Sequence, residues 1–436
     1  MKTKILFCIY HLRDHDFFLK LVKKINQNKY NICLLYFIKI PKHIAFCDQI
    51  SFYEYLEPKI INKVKINNNL IFHEKISTNS KDEIKLKKKF IFYHQAITKI
   101  ITKYNINIII QELGGFICHL SIFEASKINK IKHIFIEPSF ITRHCYFLIN
   151  SIKINEGLFV NTKKKSNKLK KNYLKKLIND QYIAINNKDM HLKKKNMINL
   201  IFSYYTIKVF FKKIKQLILQ EKTEFNNLTI HLLDFFIRIK NQFINFFYKF
   251  ENHGTAKKFI YFPLHVPKDL ALTLRAPECL NQISLLRKIL KNSKEKIIFK
   301  EHPLIFAKYN YFLIKKFFYN SNFFENHFST NQILKNCKFI ITINSKAGLE
   351  ALALNYPVMC LSSNYYCGKG LAKYCKNNQE FLKFCKNIKK NTPQKKYVNK
   401  LLFKLSRQAG FFDLYNNDTK SIIKSARTIN YVLNNC

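Results

Sequence analysis

The sequence predicts an α/β protein with two Rossmann-like domains. Three observations lead there. A strand–helix–strand rhythm opens the chain, and the same rhythm returns after Lys257, following a long stretch of different character. The third is length: 436 residues exceed the roughly 250 to 300 that one hydrophobic core usually supports. With 47% hydrophobic and 15% aromatic residues, the chain can fill two cores rather than remain disordered.

"TKILFCIY" is the uninterrupted apolar run that a strand buried on both faces needs. "HDFFLKLVKKINQN" then places Phe17, Phe18, Leu21, Val22 and Ile25 at helical spacing, and "YNICLLYF" is the next strand. The unit recurs in "INIIIQELGGFICHLSIFEASKINKIKHIFIEP", where two strands flank a helix starting near Cys118. Its pair Gly114 and Gly115 falls at the C-terminal end of a strand, where ligands of parallel sheets collect. These elements make residues 1–150 the first domain. Residues 151–256 read as a Lys-rich helical insertion, with clusters such as Lys163 to Lys165 and Lys193 to Lys195 alternating with amphipathic stretches such as "LIFSYYTIKVFFKKIKQLIL". That stretch suits either packing on the body of the protein or resting on a bilayer with its lysines at the headgroups. Residues 257–378 form the second domain: strand "KKFIYFPL", helix "APECLNQISLLRKILKN" with Pro277 near its first turn, strand and exit loop "KIIFKEHP", then "CKFIITI", "SKAGLEALALN" and "PVMCL" as strand, helix and strand. Residues 379–436 look helical and are expected to pack back on the body.

The net charge of +49 suggests an anionic partner. Lys, Asn, Ile, Phe and Tyr dominate while Trp is absent, as an A/T-rich coding sequence would produce, so part of the charge is composition tolerated on a solvated surface. No repeated basic-aromatic element or nucleic-acid motif accompanies it. Nucleic acid is therefore not the expected partner, and peripheral contact with an anionic membrane face fits better. The 12 cysteines include no Cys-x-x-Cys pair and no cluster at zinc spacing, which fits a reducing compartment and predicts no metal site. The first apolar run is stopped by His11, Arg13 and Asp14, as in a first strand rather than a signal peptide. No run of about 18 uncharged apolar residues occurs. The expected location is cytoplasmic, with peripheral contact at the inner face of the cytoplasmic membrane.

Two strand ends carry the chemistry. In "ITINSKAGLEALALNYPV" the strand ends near Ile343 and either Asn344 or Ser345 caps the following helix, whose first-turn amides and dipole make an anion site at the sheet edge. Gly348 would let a backbone or ligand approach closely, and Glu350 would hydrogen-bond a ribose or cap locally. "KEHP" adds His302 at the end of a buried strand, flanked by Lys300 and Glu301. A ring N–H there can donate to a phosphate oxygen and stabilise a departing nucleotide.

"YFPLHVPKDLALTLRAPECLNQISLLRKIL", "IIFKEHPLIF" and "ITINSKAGLEALALNYPVMCLSSNYY", in that order and spacing, resemble the capsule polysaccharide biosynthesis proteins that include bacterial β-Kdo transferases. "HDFFLKLVKKI", "QELGG" and "HIFIEPSFITRH" resemble that family's early helix, Gly loop and Glu-containing strand end. The resemblance implies a GT-B architecture, two Rossmann-like domains facing each other across a cleft, with no required metal and no cofactor beyond a nucleotide-sugar donor as substrate. It implies that the second domain holds CMP, with His302 on the phosphate and Ser345 at the helix start, assisted by Lys300, Asn344, Gly348 and Glu350. The first domain would hold the acceptor and the catalytic carboxylate, for which Glu137 is the candidate, as general base or in the covalent steps of a retaining mechanism. His11, Arg13, Asp14 and His15, with Gly114, Gly115 and His265, would line the acceptor side or the cleft. Two departures stand out: the family's further acid after the Glu has Asn150 nearest its place, and His265 stands where Gln is common.

The function implied is a glycosyltransferase of capsule or surface polysaccharide synthesis, moving Kdo from CMP-Kdo onto a lipid or glycan acceptor. Alternatives are another donor, such as CMP-sialic acid, CDP-glycerol or a UDP-sugar, and a catalytically silent scaffold of a polysaccharide assembly complex.

Overall fold

The computed structural model describes residues 2–41, 43–57, 66–141, 143–159, 228–250, 259–291, 293–302, 309–324 and 328–435, with residues 211, 214, 218 and 224 between them. The chain divides into two compact units. The first contains the described residues up to 159, those from 211 to 224 and those from Ser406 on, and the second those from Leu228 to Leu405.

The first unit is built on strands β1 (Thr3–Ile9), β2 (Tyr30–Tyr36), β3 (Asp48–Ser51), β4 (Ile108–Glu112), β5 (Lys132–Pro138) and β6 (His144–Ile149), with a late strand at Gly410–Phe411. Their order is Gly410–Phe411, β6, β5, β4, β1, β2, β3. β1 pairs in parallel with β2 on one side and β4 on the other, and β6 and the late strand close the edge antiparallel. Ile5, Leu6, Phe7 and Ile9 of β1 are fully buried, as the apolar run demands, because helices cover both sheet faces. The Leu12–Val22 helix lays Phe17, Phe18, Leu21 and Val22 into the core, where they meet Ile422, Ala426, Ile429 and Val432 of the Thr419–Asn435 helix. Hydrogen bonds from Asn26 N–H to Asn430 Oδ1 and from Tyr30 Oη to Asn434 Oδ1 fix that helix in place.

The second unit repeats the plan with β7 (Phe259–Pro263), β8 (Ile297–Lys300), β9 (Ser321–Phe323), β10 (Cys337–Thr342), β11 (Val358–Cys360) and β12 (Lys373–Tyr374). Their order is β12, β11, β10, β7, β8, β9, and each neighbouring pair is parallel. In both units the first strand lies in the middle and the order runs away from it in two directions. That is the Rossmann arrangement, and it opens a ligand crevice at the strand ends where the direction reverses: between β1 and β4, and between β7 and β10. The α/β class read from the sequence is the one observed. The short strands β3, β9 and β12 and the antiparallel β6 were not anticipated. Most of the expected Lys-rich insertion, including Lys163 to Lys165, Lys193 to Lys195 and nearly all of residues 200–219, lies outside the described residues.

Candidate functional site

β10 is buried from Phe339 through Thr342, and Ile343 beyond it is buried too. Two side chains seize the carbonyl where the strand ends: Ser362 Oγ and Asn364 Nδ2 both donate to Ile343 O, at 3.1 and 3.2 Å. The chain then turns sharply into the Lys346–Ala353 helix. Ser345 is its cap, with Oγ accepting from the Ala347 N–H at 3.2 Å while its own N–H donates to Thr342 Oγ1 at 3.2 Å. Asn344, the alternative cap, donates Nδ2 to the Ala271 carbonyl at 2.7 Å instead, and its Oδ1 is buried without a hydrogen bond. Tyr366, wholly buried, donates its hydroxyl to Ser345 O at 2.8 Å. That ring explains Gly348: a Cβ there would stand 2.7 Å from Tyr366 Oη and 2.9 Å from Thr342 Cγ2. The close approach at Gly348 is thus made by the protein's own tyrosine.

β8 brings Lys300, Glu301 and His302 to the same edge. Lys300 is only 3% exposed. Burial, then Lys300 and Lys346, lower the His302 pKa to about 4, so the ring is neutral at pH 7 and can donate one N–H. Burial pushes the Glu350 carboxyl up to about 7, against a hydrogen bond from Thr330 and the pull of Lys300 and Lys346. Glu301 is engaged elsewhere: its carboxylate accepts the Tyr309 N–H at 2.9 Å. His265, expected on the acceptor side or in the cleft, leaves the end of β7 in this second unit. Burial, then His302, lower its pKa to about 4, and its Nε2 has no hydrogen bond. Its backbone is locked by Gln282, whose Oε1 accepts the His265 N–H at 3.0 Å, and by Tyr309 Oη donating to its carbonyl at 2.5 Å. Three strand ends therefore gather two neutral imidazoles, two lysines and a capped helix start into one electrostatic neighbourhood. Such a group can hold a phosphate: the helix dipole and the lysines supply positive charge and an imidazole can donate.

The corresponding edge of the first unit is built differently. The His11 side chain is exposed, but Asp14 does not stand open there: 2% exposed, it uses Oδ2 to accept the N–H groups of Tyr10 and His11 at 3.1 and 2.9 Å and caps the Leu12–Val22 helix. His15 is likewise inward, its Nδ1 3.0 Å from Tyr36 Oη. Gly114 and Gly115 accommodate rings: a Cβ on either would meet His119 at 2.2 Å or His73 at 2.7 Å. The His119 ring stacks on Tyr10 with centroids 4.0 Å apart, and burial lowers its pKa to about 3. Glu137 lies partly exposed near the end of β5, opposite Tyr146 of β6. Asn150 sits at the other end of that strand pair, where it adopts φ 52°, accepts the His133 N–H at 2.8 Å and donates its own N–H to His133 O. Its amide thus does not replace a carboxylate beside Glu137. The sequence reading passed over Glu112, the last residue of β4, whose carboxyl accepts the Tyr415 hydroxyl; burial and Asp14 raise its pKa. It stood inside "QELGG", where the glycines drew attention, and Tyr415 is 303 residues away. Tyr366, Gln282 and Tyr309 were missed for the same reason: their roles depend on contacts far from them in sequence.

Comparison with known proteins adds to this geometry. The sequence profile of the capsule polysaccharide biosynthesis protein family matches residues 188–405. Protein FixF of Sinorhizobium fredii is 28% identical over 127 residues, spanning 27% of this chain and 30% of FixF, so the match leaves most of that relative uncovered. Similar solved structures include the β-Kdo 2,7 transferase of Thermosulfurimonas dismutans KpsC (13% identity, 100% of this chain, 99% of that one, TM-score 0.41). The β-Kdo 2,4 transferase of the same KpsC is similar over 74% of this chain and 87% of its own (11% identity, TM-score 0.39). S. aureus MnaA with UDP covers 100% and 98% (12% identity, TM-score 0.31).

Proposed function

The chain belongs to the capsule polysaccharide biosynthesis protein family, and we propose that within it the protein is a glycosyltransferase that takes its sugar from a nucleotide-activated donor. One observation carries this reading: the Ser345-capped start of the Lys346–Ala353 helix, set at the β7/β10 crossover among His302, Lys300 and Lys346. In the transfer, the bond between the anomeric carbon and the phosphate oxygen breaks, the acceptor oxygen bonds to that carbon, and the nucleotide leaves with the electron pair. Charge grows on the phosphate as it departs. The helix dipole, the lysines and a His302 N–H would stabilise it. The resemblance of "KEHP" and "NSKAGLE" to β-Kdo transferases makes CMP-Kdo the donor we propose.

Acceptor recognition is assigned to the first unit, with Glu137 as the carboxylate that takes the proton of the acceptor hydroxyl, and the acceptor is a lipid or glycan of surface polysaccharide. The test is calorimetric titration of the purified protein with CMP, UMP, CDP and UDP, with His302→Ala alongside. Selective CMP binding that weakens about tenfold or more in the variant, a loss typical of one charge-assisted hydrogen bond, is the expected result. Binding of no nucleotide would return the protein to a scaffold role, and preference for UDP would replace the donor while keeping the class.

A further inference from the structure

The Leu228–Phe246 helix of the second unit is inside out. Its inward residues are polar: Asn241 and Asn245 are 8% and 9% exposed, and Asn245 donates Nδ2 to the Tyr309 carbonyl at 2.7 Å while its Oδ1 accepts the Tyr311 N–H at 3.0 Å. Tyr248, just beyond the helix, is buried, donates to Asn322 Oδ1 at 2.8 Å and meets Tyr311 and Phe323 edge-on. Its outward residues are apolar: Leu233, Phe236, Ile237, Phe243 and Phe246 are 52% to 81% exposed, and Phe247 continues the row. The three- and four-residue spacing puts most of them on one face. A helix of a protein surrounded by water has the opposite polarity.

The Tyr311–Phe317 helix packs on this one and extends the patch with Phe312, Leu313 and Phe317, followed by Tyr319 at 92% exposure. Lysines 240, 249, 315 and 316 of the same two segments are exposed as well. Asp234 is the one acid in residues 228–250 and 309–319, and Arg238 pairs with it at 3.0 Å. At the rim, a cavity of about 500 Å³ is bordered by Asn241, Asn281, Ser284, Arg287 and Phe317. An apolar patch of this extent on a surface normally marks a partner.

We propose that this face docks on an anionic lipid bilayer, with the phenylalanines entering the boundary between headgroups and acyl chains and the lysines resting on lipid phosphates. Charge selects this occupant. A second copy of the chain would bring the same lysines and the same net charge of +49 to the contact, whereas an anionic surface complements both. Among the described residues no helix is long and apolar enough to cross a membrane, so the helix would lie in the plane of the interface. The inference does not depend on which sugar donor is used.

The chain contains no tryptophan, so Phe243→Trp introduces a sole indole into the face and Leu382→Trp, on the exposed Asn378–Lys386 helix, introduces one elsewhere. On adding vesicles of phosphatidylcholine with phosphatidylglycerol, the Phe243→Trp emission should shift to the blue and be quenched by brominated acyl chains, while Leu382→Trp should not respond. Phosphatidylcholine alone should give a much weaker response. In cosedimentation, the double variant Phe243→Ser, Phe246→Ser should bind the same vesicles about tenfold less, with unchanged net charge and circular dichroism. Three results would each overturn the proposal: undiminished binding of the double variant with no shift at position 243, meaning charge alone; a blue shift that grows with protein concentration without vesicles, meaning self-association; or no binding to anionic vesicles.

Discussion

The two sheets share a strand order, yet the helices that leave their crossover points begin against opposite charges. After β4, the Ile117–Ile128 helix starts against a carboxylate: Glu74 Oε2 accepts the Ile117 N–H at 2.9 Å, and Lys89 balances Glu74 at 2.8 Å before reaching Glu224 at 2.9 Å. After β10, the Lys346–Ala353 helix starts against a hydroxyl with Lys300, Lys346 and His302 nearby. Both helix starts have the dipole that favours an anion. The protein fills one with its own carboxylate, and the other is the start at which we propose the donor phosphate binds. The strand order creates two candidate anion sites, and residues distant in sequence decide which is used.

The largest effect should come from making the second site like the first. Ser345→Asp keeps a competent cap, since Asp caps helices as well as Ser, but brings a fixed negative charge to the place proposed for phosphate. CMP affinity should fall about a hundredfold or more, roughly 3 kcal/mol, with thermal stability nearly unchanged. Calorimetry together with thermal unfolding checks this. A variant that still binds CMP normally would break the comparison.

The converse change acts on stability instead. Glu74→Gln removes the charge facing the Ile117 N–H and leaves Lys89 with Glu224, at a buried position 6% exposed. A loss of about 1–3 kcal/mol in chemical denaturation is expected, with CMP binding by the second unit unaltered. The two glycine sites extend this contrast. Gly348→Ala presses a methyl against Tyr366 Oη and Thr342 Cγ2 in the proposed ligand site, and should cost about 1–2 kcal/mol and weaken CMP binding; Gly114→Ala drives one into the His119 ring at 2.2 Å and should cost stability alone.

The readable part of this molecule was local. Apolar runs placed β1, β2, β4, β5, β7, β8, β10 and β11 because strands buried on both faces are mostly apolar, even where Gln111 and His133 are buried within them. "NSKAGLE" located the helix start because cap and strand end are adjacent in sequence. Glu74 was missed because its surroundings come from elsewhere: it is 43 positions from the amide it accepts. Asp14 differs, since the amides it accepts lie only three and four positions back. A residue type at a strand end tells where a side chain leaves the sheet but not whether a neighbouring segment has already satisfied it. β3, β9 and β12 escaped notice because their two to four residues mix polar with apolar, whereas the equally short β8 and β11 lie in the unbroken apolar runs IIF and VMCL.

The smallest effect expected, and the one most specific to the second site, is on pH. In the free protein, burial and the two lysines lower His302 from 6.5 to about 4, so the folded state binds fewer protons there than the unfolded chain. Its contribution to stability is full above pH 6.5 and is lost as pH falls towards 4; His265 acts with the same sign. Glu350, raised from 4.5 to about 7, acts in the opposite sense, its contribution present below 4.5 and lost as pH rises through 7. A phosphate seated beside Lys300 and Lys346 offsets the lysines and draws the pKa of His302 upward, so binding should take up protons. CMP affinity should therefore rise by up to about tenfold per unit as pH falls from 7 towards 6, and the slope should flatten in His302→Ala. The Glu74 side, with its resident carboxylate, offers no such coupling, so Glu74→Gln should leave the slope unchanged. An equal slope in wild type and His302→Ala would assign the proton uptake to Glu350 or to the nucleotide itself and remove His302 from the phosphate.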